Sequence, residues 1–210
     1  MRRLTSIVAV NEDGAIGSGN ALPWRVRSDL RFFREQTEGN VVIMGRRTYA
    51  SLGNRGLPRR KNIVVTHEFS LFASTPECKT AGSIDEALTM ANDWLASSQE
   101  VFIVGGASMY KQFSCYVDRY LVTEIHKPVP KADTFLDKKI LEREDDWLRR
   151  TLMEGKADGE HDEADFSIFE FVSKDAMSIA ARRERVFQQA KERKCGNRLN
   201  AVADRPLIAL

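Results

Sequence analysis

The carboxylate of Asp29 is the first group in this chain placed for chemistry. Read at 100° per residue, Val26, Leu30, Phe33 and Thr37 share one stripe of a helix, and Arg27, Arg31, Arg34, Glu35 and Glu38 lie opposite. Asp29 falls between the directions of Phe32 and Phe33. A carboxylate aimed at apolar surroundings is costly unless a cation or a hydrogen-bond donor meets it. Such a partner is therefore expected. A first-turn acid favoured by the helix dipole would account for the same residue without any chemistry.

Two further segments have the grammar of a phosphate site. Val41-Val42-Ile43-Met44-Gly45-Arg46-Arg47-Thr48 runs from a buried strand through glycine into a basic helix start, where backbone amides and guanidinium groups suit an anion. A solvated arginine pair explains Arg46 and Arg47 equally well. Val101 to Tyr110 repeats the pattern with the pair Gly105-Gly106, and two such places indicate a ligand with several phosphates. Neither segment has the spacing G-x-G-x-x-G or G-x-x-x-x-G-K-[ST]. The three cysteines share no C-x-x-C spacing, and His67, His126 and His161 lack metal-ligand spacing, so ordinary reduced thiols and no metal site are expected.

The elements that must position these residues alternate. Leu4 to Val10, Val41 to Met44, Asn62 to Thr66 and Val101 to Val104 are short apolar runs of the kind buried on both faces of a parallel sheet. Between them lie helical stretches, one opened by the capping box Ser83-Ile84-Asp85-Glu86 and running to about Leu95. This alternation predicts an α/β fold with a mostly parallel central sheet flanked by helices. Past Tyr116 the pattern becomes strand-like over Val117 to Ile125, Trp147 to Met153 and Phe166 to Val172. The last two read as a C-terminal antiparallel hairpin around the acidic, solvated connection Glu154 to Asp165.

The 210 residues fit one domain with an extension. Residues 1–173 carry 23 basic and 26 acidic side chains, and residues 174–210 carry 9 and 4, so a mildly acidic body precedes a basic tail. Asp175 to Lys194 has helical character and Gly196-Asn197 is a natural stop; charge complementarity favours docking of this helix on the body. No apolar run approaches the roughly 20 residues of a membrane span, and Met1-Arg2-Arg3-Leu4 is not followed by a signal-peptide core. A cytoplasmic protein is expected.

Joined in order, the motifs resemble one family. Ala15-Ile16-Gly17, Leu22-Pro23-Trp24, Asp29-Leu30 with Phe33, Val42-Ile43-Met44-Gly45-Arg46 with Thr48, Leu57-Pro58 with Arg60-Lys61-Asn62, Ile103-Val104-Gly105-Gly106 with Tyr110, then Thr123 and Phe169-Glu170, are similar to dihydrofolate reductases of the bacterial chromosomal type. The likeness runs from about Leu4 to Val172. It implies a dihydrofolate-reductase-like domain over 1–173 and a helical extension over 174–210. It also implies reduction of 7,8-dihydrofolate by NADPH, with hydride delivered to pterin C6 and a proton gained at N5.

The resemblance assigns residues as well. Asp29 would pair with the pterin 2-amino group and N3, supported by Thr123, with Leu22 and Trp24 beside it. Ile7, Val8, Leu30, Phe33, Val104 and Tyr110 would line the substrate site, and Arg60 would grip the glutamate α-carboxylate. For NADPH, Arg46, Thr66 and His67 would face the 2′-phosphoribose, and Arg47, Thr48 and the start opened by Gly105-Gly106 would serve the pyrophosphate. Ala9, Ile16, Gly45, Ala107 and Ser108 would complete that site. Ser108 stands where the best-known bacterial members often have arginine, which weakens one phosphate contact. Asn11 to Trp24 resembles the mobile loop that closes over the cofactor.

Dihydrofolate and antifolates are the implied ligands, acting on a monomer without nucleic-acid or membrane partners. Two alternatives stand beside this reading. A riboflavin-pathway reductase shares the fold and NADPH but needs neither Asp29 nor Arg60, and a non-catalytic binding module would use the basic tail.

Overall fold

Strand β1 (Leu4–Asn11) is buried along almost its whole length because it runs through the middle of an eight-stranded sheet. The computed structural model describes residues 1, 3–69, 75–96, 99–137, 139 and 146–203, with side chains to 193. The remaining elements are β2 (Ala15–Gly17), α1 (Arg27–Thr37), β3 (Val41–Gly45), α2 (Arg46–Ser51), β4 (Lys61–Val65), β5 (Cys78–Ala81), α3 (Ile84–Trp94), β6 (Val101–Ile103), α4 (Ala107–Phe113), β7 (Arg119–Ile125), β8 (Thr134–Phe135), β9 (Trp147–Gly155), β10 (Phe166–Ser173) and α5 (Ala176–Ala203).

The sheet order is β5-β4-β3-β6-β1-β7-β10-β9. Every pairing from β5 to β7 is parallel, and β10 runs antiparallel to both β7 and β9. The expected parallel sheet and closing hairpin are both present. The apolar runs are continuous because both faces are covered. Val26, Phe32 and Tyr49 from α1 and α2 pack with Ile7, Val42, Met44, Val64 and Leu121 on one face. On the other, α3, α4 and α5 pack Leu88, Phe113 and Phe187 against Leu4, Val8, Ile43, Ile63 and Ile103. Side chains of this size contribute roughly 1.5–3 kcal/mol each when fully buried.

Local signals were read with uneven success. Ser83 caps α3 by accepting from Glu86 N at 3.1 Å, while the Glu86 carboxylate accepts from Gly82 N at 2.7 Å, one residue earlier than the capping box requires. The expected stop at Gly196-Asn197 is not where α5 ends: the helix continues to Ala203. A glycine inside a helix costs only about 1 kcal/mol against alanine, too little to halt a helix already propagating. Residues 204–210 of the expected extension lie outside the described residues. On α1 the expected stripe holds at Val26 and Thr37, which are buried, and at the half-buried Phe33, but not at Leu30. Asp29, Phe32 and Thr37 are the buried residues of the helix, whereas Leu30 is 45% exposed.

α5 lies against the body through a buried arginine. Arg183 Nη2 donates to Asp118 Oδ2 at 2.7 Å and Arg183 Nη1 donates to the Tyr116 carbonyl at 2.6 Å. Asp118 Oδ1 accepts in turn from Leu4 N at 3.1 Å, so the ion pair also fixes the start of β1. Both side chains are withdrawn from water, at 1% and 9% exposure. Removing one partner from such a pair strands the other charge. Arg183→Met should therefore lower unfolding free energy by about 3 kcal/mol, measured by urea denaturation; a loss no larger than that of an exposed pair would show that Asp118 is satisfied without it.

Candidate active site

A cleft of about 1020 Å³ opens where β3 and β6 end and α2 and α4 begin. Its position follows from topology, because β6 returns between β3 and β1 and ligands gather beyond the carboxyl ends of parallel strands at such a reversal. Gly45 N donates to Gly105 O at 2.8 Å and Val104 N to Ile43 O at 2.9 Å, drawing the two strand-to-helix corners together. Gly105 and Gly106 are joined by a cis peptide, and Gly105 has φ +120°. A Cβ on Gly105 would sit 3.3 Å from Tyr110 Oη and 3.4 Å from Thr48 Oγ1, so glycine is required for conformation and close approach alike.

The donors lining this cleft suit a phosphorylated ligand. Arg46, Arg47 and Thr48 border one side and Gly106, Ala107 and Ser108 the other. Neither α2 nor α4 has a side-chain cap at its start. Ala9 and Ile16, together with Val8, Leu22, Val104 and Tyr110, supply most of the apolar lining. The residues present thus fit a dinucleotide, with phosphate donors at the glycine corners and apolar walls deeper in.

Thr66 and His67 are the two expected cofactor residues that do not border the cleft. Thr66 is buried and its Oγ1 accepts from Glu68 N at 3.0 Å; His67 is exposed. Arg46 Nη1 donates to Glu68 Oε2 at 2.7 Å, so a carboxylate occupies the arginine expected to meet a phosphate.

Asp29 sits beside the cleft, in the first turn of α1, and only 7% of it is exposed. Burial pushes its carboxyl above the ordinary carboxylate range; a hydrogen bond with Thr123 pulls it back, and the nearby charge of Asp162 pushes it up again. Thr123 pairs with Ala9 in register across β7 and β1. Tyr110 is close enough for Asp29 to raise its phenol further, in addition to the larger effect of complete burial, and its hydroxyl donates to Ile7 O at 2.9 Å. Trp24 is buried, and its indole Nε1 has no partner among the described residues.

Arg60 anchors the opposite end of α1. Its Nε donates to Thr37 Oγ1 at 2.9 Å, Nη1 to Pro58 O at 2.6 Å and Nη2 to Arg34 O at 3.4 Å. Those bonds engage three of the five guanidinium N–H groups and leave two for an anion. The guanidinium lies 5.9 Å from the centre of the half-buried Phe33 ring.

Sequence reasoning missed Asp133 and Thr134, which also line the cleft. Asp133 Oδ2 accepts from Gly19 N at 2.7 Å, Asp133 N donates to Gly17 O at 3.2 Å, and β8 pairs with β2. The 11–24 segment is thereby tied to a distant connection. No local signal announces a pairing across 114 residues.

An α/β sheet with a phosphate-suited cleft at its switch point and a buried carboxylate alongside is the arrangement of a nucleotide-binding protein. Residues 3–173 match the family model described as dihydrofolate reductase. The dihydrofolate reductase of Staphylococcus haemolyticus is 33% identical over 74% of this chain and 87% of its own length. That of Bacillus subtilis (strain 168) is 38% identical over 59% of this chain and 69% of its own. Among solved structures, a dihydrofolate reductase from Enterococcus faecalis complexed with NADP(H) and RAB-propyl superposes with TM-score 0.68 at 27% identity, covering 82% of this chain and 97% of that one. The chain belongs to the dihydrofolate reductase family. Its activity is NADPH-dependent reduction of dihydrofolate, and neither the riboflavin-pathway reductase nor the binding module is favoured.

The buried carboxylate has a thermodynamic signature. Because the folded-state pKa of Asp29 is raised, the native state binds its proton more tightly than the unfolded chain, and stability falls as pH rises from the unfolded value through the folded one. Asp29→Asn removes that loss. The ligand-free variant should be more stable than the parent at neutral pH, with the gap closing below about pH 4; thermal melts between pH 4 and 8 check this, and a pH-independent gap would refute it.

Proposed function

We propose that α1 is the ruler for the substrate, with Asp29 receiving the pterin at one end and Arg60 the glutamate α-carboxylate at the other. The observation that carries this reading is the placement of the two groups. Asp29 lies in the first turn and Arg60 is bound to Thr37 at the last, a separation of about 12 Å along the helix axis. A ligand with a hydrogen-bonding heterocycle at one end and a carboxylate at the other matches both.

In this reading Asp29 accepts from the pterin 2-amino group and N3, and Thr123 holds the carboxyl in line. NADPH, when bound, supplies the hydride for pterin C6. Hydrogen bonding at Asp29 polarises the ring and raises the basicity of N5, and the unpaired Trp24 indole N–H orients a water through which the proton arrives. Leu22, Ile7, Val8, Leu30, Phe33, Val104 and Tyr110 exclude bulk water and fix ring geometry. Arg46, with Thr66 and His67 behind it, reads the 2′-phosphate by exchanging Glu68 for it. Arg47, Thr48 and the Gly105-Gly106 corner hold the pyrophosphate, and Ala9, Ile16, Gly45, Ala107 and Ser108 complete that site. Antifolates carrying a diaminopyrimidine would place their amidine edge on Asp29. We read residues 1–173 as the catalytic unit of a cytoplasmic monomer, and 174–210 as a structural extension.

Asp29→Asn should lower dihydrofolate turnover by about 100-fold or more at neutral pH and partly recover on acidification, when solvent supplies the proton. Steady-state rates across pH 5 to 8 test the assignment, and unchanged turnover would reduce Asp29 to a helix-end acid. On the cofactor side, Arg46→Ala should raise the KM for NADPH by about tenfold while leaving that for NADH nearly unchanged. Equal changes for both cofactors would show that Arg46 does not read the 2′-phosphate.

A further inference from the structure

α1 begins without a cap of its own. Val26 occupies the N-cap position with extended backbone and offers no side-chain acceptor to the first-turn amides. The acceptor comes from the connection between β9 and β10. Asp162 Oδ1 accepts from Ser28 N at 3.0 Å and Asp162 Oδ2 accepts from Ser28 Oγ at 2.6 Å, across 134 residues of sequence. Asp162 is itself buried.

The connection is built to hold that carboxylate in place. Asp158 Oδ1 accepts from the backbone N–H groups of Glu160, His161 and Asp162 at 3.0, 2.7 and 2.8 Å. Arg27 N donates to His161 O at 3.2 Å, and Glu163 N donates to Arg25 O at 3.1 Å, flanking a bridge between Val26 and Asp162. Arg25 N completes the seam by donating to Glu163 Oε1 at 2.6 Å. The residues leading into α1 are thus paired, strand-like, with the hairpin connection.

Ser28 immediately precedes Asp29. A carboxylate clamped on Ser28 fixes the turn that aims Asp29, and its charge acts on Asp29. We propose that Asp162 is a positioning residue for dihydrofolate reduction: through Ser28 it fixes the orientation of Asp29, and its charge acts on the Asp29 carboxyl across the same turn. The proposal rests on the reading of Asp29 as the pterin-binding acid. The groups facing Asp29 are Asp162 from the hairpin, Thr123 from β7 and the Tyr110 hydroxyl from α4. Around Asp162 stand Asp158, Glu160, His161 and Glu163 on its own connection, Arg25 and Arg27 on the approach to α1, and Lys127 beyond β7, whose Nζ donates to Glu163 Oε1 at 2.8 Å. Asp162 alone of these carboxylates bonds α1 directly, among the described residues.

The test is the pH profile of the single-turnover hydride-transfer rate, with KM for dihydrofolate, in the full chain and in Asp162→Asn, Asp162→Ala, Ser28→Ala and Asp29→Asn. Asp162→Asn keeps an acceptor for Ser28 N and removes the charge, so the midpoint of the profile should move to lower pH while KM changes little. Asp162→Ala also removes the clamp, and kcat/KM should fall by about tenfold. Ser28→Ala should reproduce part of that loss and add little to Asp162→Ala, because the two residues act as one unit. An unmoved midpoint in Asp162→Asn would overturn the proposal. So would an Asp162→Ala protein that is less heat-stable yet has wild-type kcat and KM below its melting range. If Asp162→Ala does not fold, Asp162→Asn alone decides. Full turnover in Asp29→Asn would instead sink the reading of Asp29, and the proposal with it; lost turnover there beside wild-type behaviour in the Asp162 variants would sink the proposal alone.

Discussion

The burial of one carboxylate organises this molecule. Asp29 lies among apolar side chains on the face of the sheet that α1 covers, and no described cation is paired with it. A folding chain has every reason to avoid such a charge, since isolated ionised groups lose far more hydration than a neutral core recovers. Its retention makes sense when the missing partner is a ligand. Thr123 supplies one hydrogen bond from β7, and on the proposed reading the rest of the carboxyl is left for the ligand. Asp162 increases the tension by adding a like charge near the same helix start. Burial and Asp162 both push the Asp29 carboxyl above its ordinary range, a cost that a donor-rich heterocycle would relieve on the proposed reading of the site.

Around that charge the sheet does the placing. Inserting β6 between β3 and β1 brings the glycine corners at Gly45 and Gly105 into hydrogen-bonding contact and opens the cleft against β1, whose other neighbour is β7. Those central strands carry Ile7, Val8, Ala9 and Thr123, so the site stands on the least yielding part of the fold. The remaining borders of the site cross from elsewhere in the chain. The 11–24 segment is tied to Asp133, and the approach to α1 is tied to the hairpin at Asp162. Each tie joins a carboxylate accepting from a backbone N–H to a short stretch of backbone pairing, β2 with β8 in one case and Val26 with Asp162 in the other.

Local physics was legible in the sequence and remote pairing was not. The strands from Leu4 to Val104 follow from apolar runs, the hairpin from two strand-like segments around an acidic connection, and the start of α3 from Ser83. The glycine corners were legible because glycine at a strand-to-helix turn has few other uses. The helix wheel of α1 holds at Val26 and Thr37 and fails at Leu30, which is exposed while Phe32 is buried. The wheel treats all apolar residues as core, yet residues beside a binding cleft can remain exposed because the protein is not their partner. Asp162 was visible only as one acid in a solvated loop. That it caps a helix 134 residues earlier depends on β10 lying beside β7 while the hairpin folds back over α1, a long-range arrangement with no local pattern.

Burial also sorts the charge pairs into structure and site. Arg183 and Asp118 are withdrawn from water and bonded to each other, to Tyr116 O and to Leu4 N, with only the Arg183 Nε–H left without a partner among the described residues. Arg46 and Glu68 are 46% and 50% exposed. An exposed pair contributes about 1 kcal/mol at most and is screened by salt, which makes Glu68 a weak counterion for Arg46. A phosphate carries more charge than a carboxylate and matches the guanidinium fork in two-point geometry. The same contact that satisfies Arg46 in the free chain is thus easily exchanged, and Arg46 need not be left bare in order to be available. Asp29 is the third case, buried like Arg183 yet lacking a described cation, and on the proposed reading that combination separates a charge kept for a ligand from a charge kept for the fold.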